Sequence, residues 1–248
     1  MLGIIGGSGL SQLESLAVKR RRSVRTPYGK PSGALAFGTL HGRNVVFLPR
    51  HGPAHTIPPH EVNYCANIWA LHAHGVRNVV AVAAVGGIRA DLGPGALAVP
   101  DQIIDYTHGR RATFFKRGTR PVTHIDFTRP YCESMRQRLL KAAHAAGETV
   151  AAEGTYAATP GPRLETAAEI SRLERDGAHF VGMTGMPEAA LAREIGLCYA
   201  VIAVVVNHAA GRGASTREIR LEDFHQVLEK SMKRVCAILE QLVMLDGD

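Results

Sequence analysis

The sequence predicts an α/β fold in a single domain spanning residues 1–248. Patterns typical of strands and of helices alternate along the chain, without a long linker, repeat or low-complexity segment. A chain of 248 residues, 46% hydrophobic and 21% charged, has the composition of a globular protein with a substantial core. Several predicted strands end in glycine or polar residues, and parallel α/β sheets bind ligands at the carboxyl ends of their strands. We therefore expect a small-molecule site at that edge.

Apolar, β-branched runs define the strands of the N-terminal half. These strands are predicted at residues 2–7, 34–40, 43–49 and 76–87. His41-Gly42 is a plausible hairpin turn between the second and third of them. Apolar residues at helical spacing predict a helix over residues 60–75, which ends at Gly75.

The C-terminal half continues the alternation. Strands are predicted at residues 97–107, 154–162, 178–183 and 198–206, and helices at 131–146, 164–177, 187–196 and 221–245. Pro100 indicates an edge or a bulge in the first of these strands, because proline has no N–H to donate. Pro187 suits the first turn of its helix, and the last helix is amphipathic.

Charge and hydropathy argue against polymer and membrane partners. The net charge is +7, but the basic residues are interspersed with acids, and the densest cluster, residues 19–25, has no aromatic ladder. This pattern favours a solvated face and small anions rather than nucleic acid. No apolar run is long enough to span a bilayer, and the start of the chain lacks a secretory signal, so we expect no membrane partner and a cytoplasmic location.

Cysteine and histidine spacing predicts neither disulfides nor a metal site. Cys65, Cys132, Cys198 and Cys236 are widely separated, so we expect reduced structural thiols. The segment HEVNY resembles a zinc-binding helix, but Tyr64 occupies the position of the second ligand.

Two segments after buried strands are candidates for binding an anion. The turn GGSG fits no dinucleotide fingerprint, because Gln12 replaces the third glycine, but its N–H groups and Ser8 suit a free phosphate. Its alternative role is a tight turn stabilised by Ser8. Arg50 and His51 follow the strand 43–49 and offer donors matched to phosphate oxygens; the alternative is a surface pair.

Four further residues are candidates for contacting an organic ligand. Glu165 lies near a helix start, where it or Thr166 would otherwise serve the helix N-terminus. Met183 and Thr184 lie between a strand and a helix, where methionine often fills a core gap and threonine caps a helix. Asn207 follows a buried strand and would either cap the next segment or bind a polar ligand edge.

The order of these segments resembles a known family. GIIGGSGL, RHGPAHTIPPHEVNYCANIWAL, AAVGGIRADLGPGALAVPDQIIDYT, GPRLETAAEI and GMTGMPEAALAREIGLCYAVIAVVVN are similar to the trimeric purine nucleoside phosphorylase and methylthioadenosine phosphorylase family, over about residues 3–240. The resemblance implies a distorted, mostly parallel or mixed central sheet (a partial barrel) flanked by helices, and a homotrimer. It implies phosphorolysis of an N-glycosidic bond, with inorganic phosphate as co-substrate and no metal or organic cofactor.

The resemblance also implies roles for particular residues. Phosphate would be bound by Ser8, Arg50, His51, the backbone at Ala84, and Thr184; the nucleoside would contact Met183, Glu165, Asn207, Ala209, Leu221, Phe224 and His124, the last from a neighbouring subunit. Asn207, Arg50 and His51 would be the catalytic residues. Ala83 departs from the family, whose members have Thr or Asn there, so one side-chain contact to phosphate is absent.

Side-chain chemistry narrows the expected substrate to 5′-methylthioinosine. Asn207 can donate to the oxo group of a 6-oxopurine, and Glu165 can accept from N1–H of hypoxanthine. An apolar wall of Leu221 and Phe224 favours a methylthio group over a 5′-hydroxyl. The alternatives are an inosine or guanosine phosphorylase, a methylthioadenosine phosphorylase, and a nucleoside-binding protein without turnover.

Overall fold

The computed structural model describes residues 1–10, 13–115 and 123–245. The strands are β1 (Leu2–Gly6), β2 (Ala17–Arg22), β3 (Leu35–Leu40), β4 (Arg43–Pro49), β5 (Asn78–Gly87), β6 (Leu97–Ala98), β7 (Gln102–Asp105), β8 (Thr155–Ala158), β9 (Phe180–Gly182) and β10 (Cys198–His208). The helices are α1 (Tyr64–Ala73), α2 (Glu133–Ala145), α3 (Ala167–Arg175), α4 (Gly185–Glu194) and α5 (Leu221–Leu245). The predicted alternation of strands and helices is confirmed.

The ten strands form one mixed sheet that branches at β5. Its main path is β2-β3-β4-β1-β5-β9-β8-β7, and β10 pairs with β5 and β6. Along one edge β5 pairs with β10 over nearly its whole length. Along the other edge it pairs with β1 at residues 78–81 and with β9 at residues 86–87. No strand in the described ranges covers residues 82–85 on that second edge, so the sheet opens there.

The core lies on both faces of this sheet. Alternate residues of β5 and β10 point to opposite sides, as the strand period requires. Val79 and Val201 pack in one cluster with helices α1 and α4, whereas Val80 and Ile202 pack in another with helices α2 and α5. Both central strands are therefore apolar on both faces, which explains their continuous apolar runs in the sequence.

Two local predictions need correction. Residues 17–22, where the sequence predicted no strand and which overlap the basic cluster at residues 19–25, form β2, an edge strand that pairs antiparallel with β3. Every residue of β2 is exposed, so its sequence lacks the apolar alternation that identifies a strand. The single strand predicted at residues 97–107 is two strands on either side of Pro100: β6 pairs with β10, and β7 pairs with β8.

The expectation of reduced cysteines is wrong for two of the four. Cys132 and Cys198 form a disulfide, whereas Cys65 and Cys236 are free. Cys132 lies directly before α2 and Cys198 begins β10, and the 66 positions between them conceal their proximity in the sequence. Within the described ranges, no helix is both long enough and apolar enough to cross a bilayer.

Candidate active site

A cavity of about 400 Å³ lies where β1, β4, β8, β9 and β10 end, beside the middle of β5. It is lined by Ser8, Arg50, His51, His55, Thr56, Ile57, Pro58, Pro59, Ala83, Ala84, Pro162, Leu164, Glu165, Val181, Gly182, Met183, Thr184, Val206, Asn207, Phe224 and Leu228. Nine of these were singled out from the sequence as site residues: Ser8, Arg50, His51, Ala84, Glu165, Met183, Thr184, Asn207 and Phe224. The fold therefore gathers segments from five strand ends into one place.

Arg50 lies in the opening of the sheet beside β5. Its Nη1 donates to the carbonyl oxygen of Val82 at 2.9 Å, one of the backbone groups that no strand covers on this edge. Gly7 permits this approach, since a Cβ there would lie 2.4 Å from the Val82 oxygen and 3.0 Å from Nη1. Arg50 is 1% exposed, and its Nε and Nη2 donate to the two carboxylate oxygens of Glu188 at 2.8 and 2.7 Å.

The charge of Arg50 is stable in this environment. Burial alone would lower the pKa of its guanidinium, but the ion pair with Glu188 raises it above the ordinary value. Arg50 thus remains a cation at the cavity wall at every physiological pH. Its guanidinium is buried, oriented and charged, which is what binding an oxyanion requires.

His51 faces the cavity as a neutral imidazole. Burial and the neighbouring Arg50 lower its pKa from 6.5 to about 4. Its Nδ1 lies 2.8 Å from the Ile57 carbonyl oxygen, which has no proton, so Nδ1 carries the hydrogen and donates it. Nε2 is then an acceptor, and it suits the hydroxyl of a protonated phosphate rather than a bare oxygen. The sequence indicated that His51 is a hydrogen-bond donor to the ligand, whereas in the structure the ring nitrogen left for the ligand, Nε2, is an acceptor.

The pKa of His51 predicts a specific pH dependence of stability. The folded state takes up this proton less readily than the unfolded chain, so the free energy of unfolding should fall as the pH drops from about 6.5 to about 4. The loss attributable to His51 is at most roughly 3 kcal/mol. Denaturant unfolding of wild type and His51→Gln at pH 7 and pH 5 measures it.

We expect wild type to lose more stability between these two pH values than His51→Gln does. The control is His225→Gln, at an exposed position of α5, which should follow the wild-type curve. Equal pH dependence in wild type and His51→Gln would contradict the neutral assignment. Added phosphate should raise the pKa of His51, because a nearby anion favours the imidazolium.

Ser8 and Thr184 complete the polar end of the cavity. Ser8 follows β1, and its Oγ lies 3.4 Å from Nε2 of His55, a residue that sequence analysis missed. Thr184 precedes α4, yet its hydroxyl makes no capping hydrogen bond within the described part of the chain. The helix-cap alternative therefore does not account for its side chain. Both hydroxyls lie in the same cavity lining as Arg50, where each can donate a hydrogen bond to an oxyanion.

Asn207 reaches the cavity because β10 contains a bulge. The pairing register between β10 and β5 shifts between Val205 and Asn207, so Val206 is the additional residue. A bulge re-aims the side chains that follow it. Asn207 Nδ2 donates to the carbonyl oxygen of His208 at 2.6 Å, which fixes the amide and leaves one N–H and the amide oxygen for a ligand.

Glu165 does not cap helix α3, which was the alternative role for this residue. Thr166 and Glu169 form a reciprocal capping box at the start of α3. Glu165 instead faces the cavity and accepts a hydrogen bond from Thr159 Oγ1 at 2.7 Å on one carboxylate oxygen. The other oxygen remains available to accept from a ligand.

Apolar residues form the rest of the lining. Phe224 and Leu228 of α5 face the cavity, as does Met183 after β9. Gly161, with a φ of +62°, lets Met183 pack closely, since a Cβ there would lie 2.3 Å from its sulfur. The side chain of Leu221 lies outside what the structure describes.

Two predicted contact residues do not line this cavity. Ala209 is buried in a separate cluster with Val181 and Ile170. His124 is exposed and lies outside the lining of its own chain's cavity. His208 faces away from the site: its ring lies beside Gly93 and Gly213, at 3.4 and 2.6 Å from where a Cβ would stand on each.

A second cavity, of about 430 Å³, shares Glu165 with the first. The two arginines in its lining are exposed and paired: Arg163 with Glu169 at 2.7 Å, and Arg172 with Asp176 at 3.7 Å. Exposed arginines are free to change orientation, whereas Arg50 in the first cavity is buried and held by three hydrogen bonds, so the first cavity is the stronger candidate for an anionic substrate.

Comparison with known proteins identifies the family. The model of the family described as "Phosphorylase superfamily" matches residues 1–244. The chain belongs to this superfamily. The "Probable S-methyl-5'-thioinosine phosphorylase" of Pseudomonas syringae pv. tomato is 52% identical over 240 residues, covering 97% of each chain. The "Probable 6-oxopurine nucleoside phosphorylase" of Thermococcus kodakarensis is 46% identical, over 85% of this chain and 80% of that protein.

Solved structures agree with this assignment. Methylthioadenosine phosphorylase from Schistosoma mansoni in complex with adenine superimposes with a TM-score of 0.93 at 37% identity, over 99% of this chain and 91% of that one. The family resemblance, the mixed α/β fold and the nucleoside phosphorylase class of enzyme, a pentosyltransferase, are thereby confirmed.

In this phosphorylase, Arg110 holds two loops of the site together, a feature that sequence analysis missed. Its Nη1 donates to the carbonyl oxygens of Met183 and Met186 at 2.7 and 2.6 Å, and its Nη2 donates to Pro160 at 2.7 Å. Its guanidinium also lies 5.2 Å from the ring centroid of Tyr64. These carbonyls follow β8 and β9, so one side chain fixes the segments leading to Glu165 and Thr184.

We expect Arg110→Lys to weaken nucleoside binding in the phosphorylase. An ammonium group is a compact donor that cannot span carbonyls on both loops as the planar guanidinium does. Losing one to two hydrogen bonds from a charged donor should raise KM for the nucleoside about tenfold. Steady-state kinetics measures this, with Arg111→Lys as the matched control, because Arg111 is exposed and stacks on Tyr28 instead. An unchanged nucleoside KM in Arg110→Lys would contradict the clamp.

Proposed function

We propose that this enzyme phosphorolyses S-methyl-5′-thioinosine to hypoxanthine and 5-methylthioribose 1-phosphate. The observation that carries the proposal is the pairing of Asn207 and Glu165 in one cavity with Arg50, Ser8 and Thr184. The amide and the carboxylate match the polar edge of a 6-oxopurine, and the other three residues match an oxyanion. The names of relatives at 52% and 46% identity, a methylthioinosine and a 6-oxopurine nucleoside phosphorylase, support the same substrate class.

The reaction exchanges one bond at C1′ for another. The bond from C1′ to N9 of the base breaks, and a phosphate oxygen bonds to C1′. The transition state has oxocarbenium character, as in other glycosyl transfers. Phosphate held beside C1′ by Arg50, Ser8 and Thr184 is both the nucleophile and the counter-charge to the developing cation. Ala83 lacks a polar side chain, so a water would take the place of a hydroxyl or amide contact to this anion.

Asn207 stabilises the departing base. As C1′–N9 breaks, negative charge spreads over the purine toward N7 and O6, where the free N–H of the amide is available. An amide has no ionisable proton to transfer, so it acts by hydrogen bonding, and the proton that neutralises the base comes from solvent. Removing one such donor typically costs on the order of 3 kcal/mol.

Discrimination between bases follows from the same two side chains. The N1–H of hypoxanthine donates to the free oxygen of Glu165, whereas N1 of adenine is an acceptor and would face a carboxylate. A mismatch of this kind leaves a buried polar group without a partner, which discriminates strongly. Thr159 keeps Glu165 aimed by donating to its other oxygen.

At the sugar end, the cavity offers apolar contacts. Phe224 and Leu228 present carbon surface, which favours a methylthio group over a hydroxyl by about 1–3 kcal/mol. Leu228 was not among the residues expected there. It adds apolar surface independently of Leu221.

Initial rates on methylthioinosine, inosine, guanosine and methylthioadenosine with phosphate test the proposal. We expect the highest kcat/KM for methylthioinosine. Preference for inosine would support the simple 6-oxopurine alternative and contradict the apolar 5′ pocket. Preference for methylthioadenosine would contradict the roles of Asn207 and Glu165. If no purine is released when phosphate is present, the remaining alternative is a nucleoside-binding protein without turnover.

We further propose a homotrimer that uses no metal or organic cofactor. The position of His124, exposed and outside its own cavity, is what a residue contributed to a neighbouring subunit requires. Light scattering with size-exclusion chromatography tests assembly, and activity after treatment with a chelator tests the absence of a metal.

We also propose that the enzyme works in the cytoplasm, where phosphate is abundant. Disulfides are rare there, so activity should not depend on the Cys132–Cys198 bond. Cys198 begins β10, about 30 Å along the strand from Asn207. We therefore expect the same kcat/KM with and without a thiol reductant.

A further inference from the structure

A buried carboxylate stands directly behind the cationic wall of the phosphate site. Glu188 is fully buried, and both of its oxygens accept hydrogen bonds from Arg50. It is not among the residues that line the cavity, so it touches no substrate. A negative charge near an anion site opposes binding of the anion, so its presence needs a physical reason.

Stability alone is a weak reason. A buried ion pair gains little over apolar residues of similar volume, because removing two charges from water offsets their attraction. The pair is removed from water, since Arg50 is 1% exposed and Glu188 is 0% exposed. If the pair had only a structural role, apolar residues of similar volume at positions 50 and 188 would stabilise the core as well.

The hydrogen-bond inventory of Arg50 supplies a functional reason. A guanidinium has five N–H groups. Nε–H and one N–H of Nη2 donate to Glu188, and one N–H of Nη1 donates to Val82, which leaves one on each Nη. The three bonds fix the plane of the group. The two remaining N–H groups are then directed donors for the ligand, with no rotamer freedom left to lose on binding.

Tyr199 in turn fixes Glu188. Its hydroxyl donates to the same Glu188 oxygen that accepts from Arg50 Nη2, at 2.8 Å. Burial, together with Glu188, raises the pKa of Tyr199 well above its ordinary value, so the phenol keeps the proton it donates. Glu188 lies on α4, which begins directly after Thr184, and Tyr199 lies on β10, which carries Asn207 near its end.

We propose that Glu188 and Tyr199 are positioning residues that act through Arg50 to orient its two free N–H groups toward phosphate. The proposal deepens the proposed phosphorolysis and rests on it. The charge of Glu188 and its orientation of Arg50 have opposite effects on phosphate binding. If only the charge mattered, removing the carboxylate would strengthen phosphate binding. The direction of the change therefore separates the two explanations.

Tyr199→Phe is the primary test, because it removes one hydroxyl and keeps volume and charge. Tyr131→Phe is the matched control: its ring stacks on Tyr199 at 6.2 Å, and its buried hydroxyl has no hydrogen-bond partner among the described residues. We expect Tyr199→Phe to raise KM for phosphate about tenfold, as for a lost hydrogen bond to a charged group, and to change KM for the nucleoside less than twofold. Tyr131→Phe should change neither constant by more than twofold.

Glu188→Gln and Glu188→Asp extend the test in the same assays, with circular dichroism and Tm recorded for each variant. Glu188→Gln should raise KM for phosphate by about a hundredfold, and Glu188→Asp, which keeps the charge on a shorter side chain, should recover part of that loss. If the Glu188 variants do not fold, Tyr199→Phe alone decides.

An unchanged or lower KM for phosphate in Tyr199→Phe would overturn the proposal, and so would equal losses for phosphate and nucleoside. Wild type is assayed alongside. If wild type releases no purine in the presence of phosphate, the proposed function fails; if it does so and Tyr199→Phe matches Tyr131→Phe, only the positioning role fails.

Discussion

Replacing Arg50 by lysine should lower kcat/KM for phosphate by about a thousandfold, equivalent to roughly 4 kcal/mol of transition-state stabilisation. Lysine keeps the positive charge, so Glu188 is not left as an isolated buried anion. The substitution removes the planar geometry of the guanidinium. The planar fork bonds to Glu188, to the Val82 carbonyl and, through its two free N–H groups, to the ligand. A flexible ammonium with three donors cannot satisfy all of these at once.

Steady-state kinetics with varied phosphate at saturating nucleoside measures this loss. The control is Arg89→Lys, the same substitution at a partly exposed arginine that pairs with Asp91 outside the cavity lining. We expect that variant to remain within twofold of wild type, since exposed ion pairs contribute little. A folded Arg50→Lys enzyme with unchanged kcat/KM for phosphate would show that the anion binds elsewhere.

Arg50 also illustrates what sequence could predict about this site and what it could not. Its place after a buried strand made it a candidate for an anion site, and the structure places it in the cavity wall. Its partner Glu188 lies 138 positions further along the chain, in a helix whose local pattern indicates no special role for that carboxylate. Local patterns report which face of an element is buried, not which two elements meet.

The same distinction explains the other successes and failures. The helix predicted at residues 221–245 is α5 with the same bounds, because its amphipathic period is local information. The strand β2 was missed, because an exposed edge strand carries no apolar alternation. The disulfide and the Arg110 clamp were missed because each joins segments separated by about 50 or more positions.

The branching of the sheet is the clearest example of a feature that depends on long-range strand pairing and not on the local sequence. Nothing in the sequence of β5 shows that its pairing with β1 stops at Ala81 and that its pairing with β9 is limited to Gly86 and Gly87. The uncovered stretch between them positions Ala83 and Ala84 at the cavity and leaves the Val82 carbonyl for Arg50. The bulge at Val206 has a similar effect on the opposite edge. Both irregularities in pairing lie where the ligand is expected, as bulges beside active sites commonly do.

Replacing Asn207 by aspartate should reverse the preference between 6-oxo and 6-amino purines. The carboxylate accepts hydrogen bonds only, so it can pair with the 6-amino group of adenine but faces the oxo group of hypoxanthine as a like acceptor. We expect the ratio of kcat/KM for methylthioinosine to that for methylthioadenosine to fall on the order of a thousandfold. Part of this change comes from lost activity on methylthioinosine, since the donor to the departing base is gone.

The gain in activity on the adenine substrate should be limited, for a reason visible in the structure. Glu165 remains an acceptor held by Thr159, and N1 of adenine is also an acceptor, so one mismatch persists for the adenine substrate. The Asn207→Asp variant would also lose the hydrogen bond that Nδ2 donates to the His208 carbonyl, and the new carboxylate would rotate away from that oxygen. Asn44→Asp, at an exposed position of β4, is the matched control and should leave the ratio unchanged. An unaltered ratio in a folded Asn207→Asp enzyme would mean that this side chain does not contribute to recognition of the base. Specificity for the base would then depend on Glu165 alone.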